Sequence, residues 1–441
     1  MLKKKLLGAA ATLALTAGMS LPAQAEVSIM YAEWLSSLVE PGIAAYEAET
    51  GEKVNAIKLP GDGYVERVAL DLSAGTAADV IQMDSFVVSE LASAGYVMPL
   101  GGLAESWDQY QYYSKGLLDV VSYDGQVYAL PTDTDVRMLW YNKAIFEQAG
   151  IAMPWTPKSW DDVLDTARTV KEKTGVENAF LIPAGTKQGE AATMQGFYMA
   201  LLGADVPEAG RNRLRDWDAG KWVGDSPAIR RTLELYKTVY QDDMLASKAI
   251  NYATDIGAAV REEMTNNKMG ILASGSWEFA CLWDCNGVNL PSVEERNATV
   301  GWTPWPGSGL EGTKATTNIS GGWAIGINAK SPNAEAAQKL LTTIFDNGNF
   351  LSWTIDNRRM AVRTDISESA EYATDAYLAE ATKLAADTTG RDTYPGYQRV
   401  SALVQQMTAD ILDGVSVDDA VAEYKASLID EFGEENVITY E

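Results

Sequence analysis

The stretch Val27-Ser28-Ile29-Met30-Tyr31-Ala32 is an apolar run of strand length, and it opens a repeating pattern. Runs of helix length and runs of strand length then alternate over residues 40–50, 54–59, 64–74, 79–83 and 86–94. Alternation of this kind is typical of a parallel α/β sheet in which each helix returns the chain to the next strand. The amino-terminal part therefore predicts an α/β lobe.

Three side chains that could contact a ligand follow these strands directly. Glu33 and Trp34 come after the first strand, and Asp84 comes after the third. Ligands of open α/β sheets bind at the carboxyl ends of the strands. We therefore expect these three residues to lie on one rim.

A longer extended stretch is predicted over residues 126–143. A period of two would place Asp133, Asp135 and Arg137 on one face of it, with apolar and threonine side chains on the other. Such a polar face is typical of the wall of a cleft or of an edge strand exposed to solvent, and the pattern alone favours neither.

The remaining chain continues the α/β pattern. Ser226-Pro227 and Ser331-Pro332 each combine a helix-capping residue with the proline preferred at the first helical position. Further strands are predicted over residues 179–182, 270–273, 299–303 and 323–327. We find no linker long enough to separate independent domains, so two α/β lobes that exchange strands fit the sequence best.

Composition excludes several classes of function. The chain has 61 acidic and 35 basic residues among 441, a formal charge of −26, and no histidine. An acidic surface repels phosphates, so we expect no nucleic-acid partner. Without histidine there is no Ser-His-Asp or Cys-His triad and no histidine-ligated zinc or haem.

The first 25 residues predict an export signal. Lys3, Lys4 and Lys5 precede an apolar run that extends to about Met19, and a small-x-small sequence ends at Ala25. A buried amino-terminal helix is the weaker alternative, because it would not group three lysines before an uncharged stretch. We expect cleavage after Ala25 and a periplasmic or secreted location.

Export also bears on the two cysteines, Cys281 and Cys285. In an oxidising compartment a local disulfide is the expected state of a C-x3-C pair. Metal binding is less consistent with the sequence, since two thiolates without histidine fill half of a tetrahedral site. The spacing favours a loop or the end of a helix.

No motif for catalysis or for a cofactor is present in the sequence. It contains no phosphate-binding loop, dinucleotide fingerprint or calcium loop, so we expect no cofactor, no metal site and no catalytic residues. Asp133 and Asp135 are a poor glycosidase pair, because residues two apart on a strand lie side by side instead of across a bond.

Tryptophan is enriched: the chain has 13 Trp against 8 Phe. Trp277, Trp305 and Trp323 adjoin glycine, proline or serine instead of lying inside apolar runs. Indole rings in such places can stack on the apolar face of a sugar while charged groups bind its hydroxyls. The alternative for each single Trp is ordinary packing in the core or at a turn.

Several blocks in order resemble the extracellular solute-binding proteins of carbohydrate ABC importers, a group that includes the maltose- and trehalose-binding proteins. They are Gly75-Thr76-Ala77-Ala78-Asp79-Val80, which leads to Asp84; Tyr123-Asp124-Gly125-Gln126-Val127-Tyr128-Ala129-Leu130-Pro131; Leu139-Trp140-Tyr141-Asn142-Lys143; Trp155-Thr156-Pro157-Lys158-Ser159-Trp160; Gly275-Ser276-Trp277; Gly321-Gly322-Trp323; and Ala361-Val362-Arg363. Their order and spacing span nearly the whole chain after residue 25.

The resemblance implies a two-lobe periplasmic binding protein fold with crossing hinge strands. The expected amino-terminal lobe is residues 26–133 and 315–357, and the carboxyl-terminal lobe is residues 134–314 and 358–441. The ligand-binding residues implied by the resemblance are Glu33, Asp84, Asp133, Asp135, Trp277, Trp323 and Arg363. Position and chemistry add Trp34, Trp305, Arg359 and Tyr394.

Two residues depart from the family pattern. Asp133 stands where many relatives have an aromatic residue, and Arg137 stands where a small residue is common. The extra charges in the cleft make a plain maltose-type ligand a weaker expectation.

The sequence thus predicts a periplasmic, non-enzymatic and monomeric receptor that captures a di- or oligosaccharide by hinge closure and delivers it to an inner-membrane ABC permease. One alternative is a receptor of the same fold for a charged solute such as a polyamine, glycerol phosphate or sulfonated sugar. A secreted glycosidase that uses carboxylates is a further alternative.

Overall fold

The computed structural model describes residues 26–61, 63–208, 210–285, 289–385 and 388–441. The predicted export signal, residues 1–25, lies outside the described residues. Within the described residues, no helix has the length and apolar character needed to cross a membrane.

The described residues form fifteen strands, which we number in chain order. They are β1 (Val27–Ala32), β2 (Val54–Leu59), β3 (Val80–Asp84), β4 (Ser122–Tyr123), β5 (Gln126–Val127), β6 (Ala129–Pro131), β7 (Arg137–Asn142), β8 (Asn178–Leu181), β9 (Arg215–Asp216), β10 (Lys221–Asp225), β11 (Met269–Gly275), β12 (Val300–Pro306), β13 (Thr316–Thr317), β14 (Trp323–Ile327) and β15 (Val437–Thr439).

Helices connect and cover these strands. The α-helices are Ser36–Thr50, Tyr64–Ala74, Val88–Ser93, Leu103–Ser106, Lys115–Val120, Lys143–Ala149, Trp160–Thr174, Gln195–Ala204, Pro227–Lys237, Ile256–Thr265, Glu278–Cys281, Val293–Thr299, Ala334–Ile344, Asn347–Asp356, Thr364–Ser367, Ala370–Ala373, Ala376–Ala385, Tyr397–Leu412 and Val417–Phe432. Short 3₁₀ turns are Glu33–Leu35, Ser85–Val87, Asp108–Tyr112, Lys248–Tyr252 and Glu434–Asn436, and π-helical turns are Glu190–Met194 and Thr238–Asp242.

Two five-stranded sheets form the cores of two lobes. The first sheet has the order β2-β1-β3-β14-β6, in which β1 runs parallel to β2 and β3 while β14 is antiparallel to β3 and β6. The second has the order β13-β12-β7-β11-β8. We call the part built on the first sheet the first lobe and the part built on the second sheet the second lobe. The lobe boundaries given above remain a prediction.

The chain passes between the lobes where strands of different sheets follow one another. Residues 132–136 connect β6 of the first sheet to β7 of the second, and residues 318–322 connect β13 to β14. Single bridges pair Asp135 with Gly321 and Thr134 with Met360. Gly322 has a φ of 126°, and a Cβ there would lie 2.2 Å from the Asp133 carbonyl oxygen, so only glycine fits this close crossing.

Most predicted elements are confirmed, with two corrections. The stretch 126–143 is not one extended strand; it divides into β5, β6 and β7, because residues 132–136 leave the first sheet to enter the second. The Ser226-Pro227 start is confirmed, since the Ser226 hydroxyl accepts from the Ile229 N–H. The Ser331-Pro332 start is wrong: the helix begins at Ala334, and the Ser331 hydroxyl donates to Asp79 Oδ1 at 2.6 Å instead.

The predicted disulfide is confirmed. Cys281 is the last residue of helix Glu278–Cys281, and it is bonded to Cys285 in the following turn. The pair therefore closes the end of a short helix, as its spacing indicated.

Candidate functional site

The first crossing segment carries two carboxylates into the region between the lobes. Asp133 is buried; its Oδ1 accepts from Thr132 Oγ1 at 2.9 Å and from the Trp323 N–H at 3.2 Å. Its Oδ2 lies 3.3 Å from Arg359 Nη1. Burial raises the pKa of Asp133, and the Arg359 charge opposes that rise.

The second carboxylate pairs with the arginine at the start of β7. Asp135 Oδ1 lies 2.7 Å from Arg137 Nη1 and accepts from the Gly321 N–H at 2.9 Å. The Arg137 guanidinium lies 4.2 Å above the centre of the Trp277 ring, within cation–π range. Asp135 and Arg137 thus face the same region, although the segment before β7 is not a regular strand.

The Trp277 ring is held in place at the end of β11. Its Nε1 donates to Glu278 Oε1 at 2.8 Å, and Glu278 also accepts from Ser274 and Arg261. A Cβ on Gly275 would lie 2.0 Å from Trp277 Cζ3, so glycine is required for the ring to lie against the strand. Trp277 therefore offers a fixed aromatic surface on the second lobe.

A set of aromatic rings occupies the rim of the first lobe. The centre of the Trp323 ring lies 5.1 Å from that of Trp34 and 5.9 Å from that of Tyr64, with edge-to-face geometry. Trp323 is the partner of Asp84 in the pairing of β14 with β3. Both tryptophans are partly exposed, whereas Glu33 is exposed in the turn that follows β1.

Asp84 is linked to the second lobe. Its Oδ1 lies 3.1 Å from Arg391 Nη2, while Arg391 Nη1 lies 2.8 Å from Glu190 Oε1. Glu190 is in a π-helical turn and also accepts from the Tyr397 hydroxyl at 2.7 Å. The arginine bridges a carboxylate of each lobe, because Asp84 ends β3 and Glu190 precedes helix Gln195–Ala204 of the second lobe.

Burial gives Asp84 an unusual titration. It raises the pKa of this carboxyl to about 6, while the neighbouring Arg391 lowers it and Glu190 raises it further. An exposed aspartate titrates near pH 4. The folded protein therefore binds this proton more tightly than the unfolded chain does, and the contribution of Asp84 to stability becomes more favourable as the pH falls through about 6.

This pH dependence can be tested by comparing wild type with Asp84→Asn, in which the side chain keeps its shape and cannot ionise. The free energy of unfolding of wild type minus that of the variant should increase by at least about 1 kcal/mol between pH 7 and pH 4.5. Urea denaturation at each pH measures it. The groups around Asp84 are Arg391, Glu190 and Arg137. A difference that stays constant or decreases with falling pH would contradict the assignment.

A small cavity of the second lobe lies beside these groups. It is lined by Arg137, Met138, Met199, Ser274, Trp277 and Trp305, among others. Trp305 is buried, and its Nε1 has no hydrogen-bond acceptor among the described residues.

Two residues expected at the site lie elsewhere. The Arg363 guanidinium pairs with Asp365 and donates to Gln109 Oε1 at 2.8 Å and to the Phe345 carbonyl at 2.7 Å. It therefore stabilises the interior of the first lobe. Tyr394 is exposed on the second lobe, where its ring packs against Arg215. The structure places neither with the groups described above.

Arg391 and Glu190 were not among the site residues predicted from the sequence. Arg391 lies between helices in a loop that contains Gly390 and Gly396, and Glu190 follows Gly189, whose φ is 56°. Those glycines were the features of the sequence that could have indicated functional loops, because no periodic pattern continues through either segment. No group of three or more carboxylates or thiolates among the described residues is arranged to hold a metal ion.

Comparison with known proteins agrees with this architecture. The crystal structure of an ABC transporter solute-binding protein from Thermotoga lettingae TMO, bound with α-D-tagatose, matches with a TM-score of 0.77 at 24% identity, over 91% of this chain and 98% of that one. That similarity confirms the predicted two-lobe α/β fold.

Proteins with similar sequences are also binding proteins. A binding protein of Brucella abortus (strain 2308) is 24% identical over 390 residues, which are 88% of this chain and 87% of the relative. The galactooligosaccharide-binding protein of Bacillus subtilis (strain 168) is 23% identical over 315 residues, 71% of this chain and 67% of that protein. Residues 31–349 match the model of the bacterial extracellular solute-binding proteins. Since this match covers most of its length, the chain belongs to the bacterial extracellular solute-binding protein family.

Proposed function

We propose that this protein is a periplasmic receptor that binds a sugar between its two lobes and delivers it unchanged to an inner-membrane ABC permease. The observation that carries the proposal is the position of Trp323. Its ring is partly exposed, its backbone N–H donates to the buried carboxylate of Asp133, and it is the β-sheet partner of Asp84. An aromatic surface beside carboxylates is the arrangement that recognises a pyranose.

The relatives support a sugar as the ligand. The Bacillus subtilis protein is named for galactooligosaccharides, and the Thermotoga lettingae structure contains α-D-tagatose. The proposed ligand-contacting residues of the first lobe and the crossing segment are Glu33, Trp34, Asp84, Asp133, Asp135, Trp323 and Arg359. Trp277 and Trp305 are the proposed contacts on the second lobe.

Capture works by closure of the lobes. Asp84 and Arg391 belong to different lobes and contact each other, so their contact exists only when the lobes are together. A ligand that touches both lobes shifts the population toward this closed form. The permease would recognise that form, and the receptor acts as a monomer without chemical change to the sugar. Residues 1–25 would direct export and be removed by cleavage after Ala25.

The test uses the mature protein and a panel of sugars. Maltose, trehalose, galactooligosaccharides, tagatose, spermidine and glycerol 3-phosphate are each added in a thermal shift assay, followed by calorimetry on every hit. We expect at least one sugar to raise the melting temperature, because a ligand stabilises the state that binds it. Chromatography of the bound sugar should return it intact.

Other outcomes would contradict the proposal. Release of shorter sugars would indicate a glycosidase. A panel in which spermidine alone raises the melting temperature would indicate a polyamine receptor.

A further inference from the structure

Arg137 is a buried cation whose hydrogen-bonding capacity is largely unused. Its side chain is 4% exposed, and Nη1 lies 2.7 Å from Asp135 Oδ1. Nε and Nη2 have no acceptor among the described residues. A buried donor without an acceptor destabilises a protein, and more so when the donor is charged, so these two groups favour a ligand that carries acceptors.

A second unused donor lies at the same cavity. Trp305 lines it together with Arg137, and the Trp305 Nε1 also has no acceptor among the described residues. Ser274 and Trp277 complete its polar and aromatic lining, but both donate to Glu278. The unused groups known at this cavity are thus all donors.

The neighbouring arginines are already neutralised. Arg391 lies between Asp84 and Glu190, and Arg359 is paired with Asp133. Arg137 forms its ion pair with Asp135, whose Oδ1 also accepts from the Gly321 N–H. The pKa of Arg137 is lowered to about 10, chiefly by burial and also by the charge of Arg391, while the charges of Asp135 and Asp84 oppose this decrease. The Nε and Nη2 of Arg137, which have no acceptor among the described residues, are therefore the groups that remain available to bind two oxygens of a ligand.

On the basis of the proposed function, we infer that the bound sugar is acidic, with a single negative charge that the Nε and Nη2 of Arg137 bind together and that Trp305 Nε1 contacts. The paired donors of a guanidinium match the two oxygens of a carboxylate, a geometry that lysine cannot reproduce. The ring of Trp323, which is partly exposed, would stack on the apolar face of the same sugar.

The experiment compares neutral sugars with their acids. Binding of glucose, galactose and galactobiose is measured by calorimetry against glucuronate, galacturonate and digalacturonate, at 20 and 200 mM NaCl. Glucose 6-sulfate is added as a monoanion that is not a carboxylate. We expect at least one acid to bind at least 100-fold more tightly than its neutral partner. Its affinity should decrease with salt, because charge attraction is screened.

Variants locate the effect at Arg137. Arg137→Lys keeps the positive charge and should weaken binding of the acid about tenfold more than it weakens binding of the neutral sugar. The double variant Asp135→Asn with Arg137→Gln keeps the net charge of the site and should remove the preference for the acid. Arg399→Gln, on the surface of the second lobe, is the control and should alter neither affinity.

The outcomes distinguish failure of the sugar-receptor proposal from failure of the inference that the sugar is acidic. A neutral sugar that binds as tightly as its acid leaves the sugar receptor intact and refutes the acidic ligand. A preference for the acid that survives in folded Arg137→Lys and in the double variant refutes the role of Arg137. If no sugar, neutral or acidic, binds in this panel or the broader one, the receptor proposal and this inference both fail. A melting curve of each variant shows that it is folded.

Discussion

Replacing Asp392 with alanine is expected to reduce the free energy of unfolding by about 3–5 kcal/mol, the range for an ion pair buried in a protein that loses one partner. Asp392 is fully buried, next to Arg391 in the chain. Its carboxylate accepts from the Leu214 N–H at 3.0 Å, from Trp217 Nε1 at 2.7 Å, and from Tyr198 and Arg213. Truncation would remove the acceptor of the Leu214 N–H, Trp217 Nε1 and the Tyr198 hydroxyl, and would leave Arg213 with the Gly390 carbonyl alone.

Urea denaturation of wild type and Asp392→Ala measures the effect. Asp430→Ala is the matched control, because Asp430 is exposed on helix Val417–Phe432, and its free energy of unfolding should stay within about 0.5 kcal/mol of wild type. Asp392→Asn, which keeps the shape but loses the charge, should lie between the two. A loss below about 1 kcal/mol in Asp392→Ala would show that the Asp392 contacts do not hold this loop.

The contacts of Asp392 also explain why Arg391 reaches the cleft. A loop that contains Gly390 and Gly396 has no local pattern to fix its course. Its position comes instead from contacts with residues far away in sequence, such as Tyr198 and Arg213. The position of Arg391 opposite Asp84 could therefore not be predicted from the local sequence.

The first lobe was easier to predict than the site. The strands β1 and β2 and helix Tyr64–Ala74 agree with the expected bounds, because alternating apolar runs depend on local burial. Asp84 was expected on the rim as the residue that follows a strand. It is the last residue of β3, and this one-residue shift leaves it at the same sheet edge.

The position of the Arg363 side chain, apart from the groups of the candidate site, has a different cause. A motif can give the approximate position of a residue, but the direction of its side chain depends on what packs around it. The Arg363 guanidinium lies 5.4 Å from the centre of the Phe350 ring and 5.6 Å from that of Trp107. With Asp365 and Gln109 as further partners, it faces the interior of the first lobe.

The tryptophans predicted as stacking surfaces differ in their burial. Trp305 was expected as a stacking surface, yet its ring is buried and only its Nε1 has an unused donor. Trp277 and Trp323 both remain partly exposed near the crossing segment. The Trp277 ring can lie against the strand because Gly275, two residues before it, has no side chain to block the ring.

Trp323→Ala is expected to weaken sugar binding about 10- to 100-fold, equivalent to roughly 1.4–2.7 kcal/mol. The apolar face of an indole buries enough surface against a sugar ring to contribute on this scale. Trp34 and Tyr64 hold the ring edge-to-face, so little conformational entropy is lost when a ligand stacks on it. Because Trp323 is partly exposed, the fold should survive its truncation.

Calorimetry with the sugar identified by the panel measures the change, and Trp283→Ala provides the comparison. Trp283 is also partly exposed, but it lies between the two cysteines of the disulfide and is not a proposed ligand contact, so its replacement should leave the affinity within about twofold of wild type. Trp34→Ala separates direct from indirect effects. If Trp323 stacks on the sugar, loss of its neighbour Trp34 should weaken binding less than loss of Trp323 itself. Equal affinity of wild type and folded Trp323→Ala would exclude this ring from the ligand site and leave the second-lobe cavity at Arg137 and Trp277 as the binding surface.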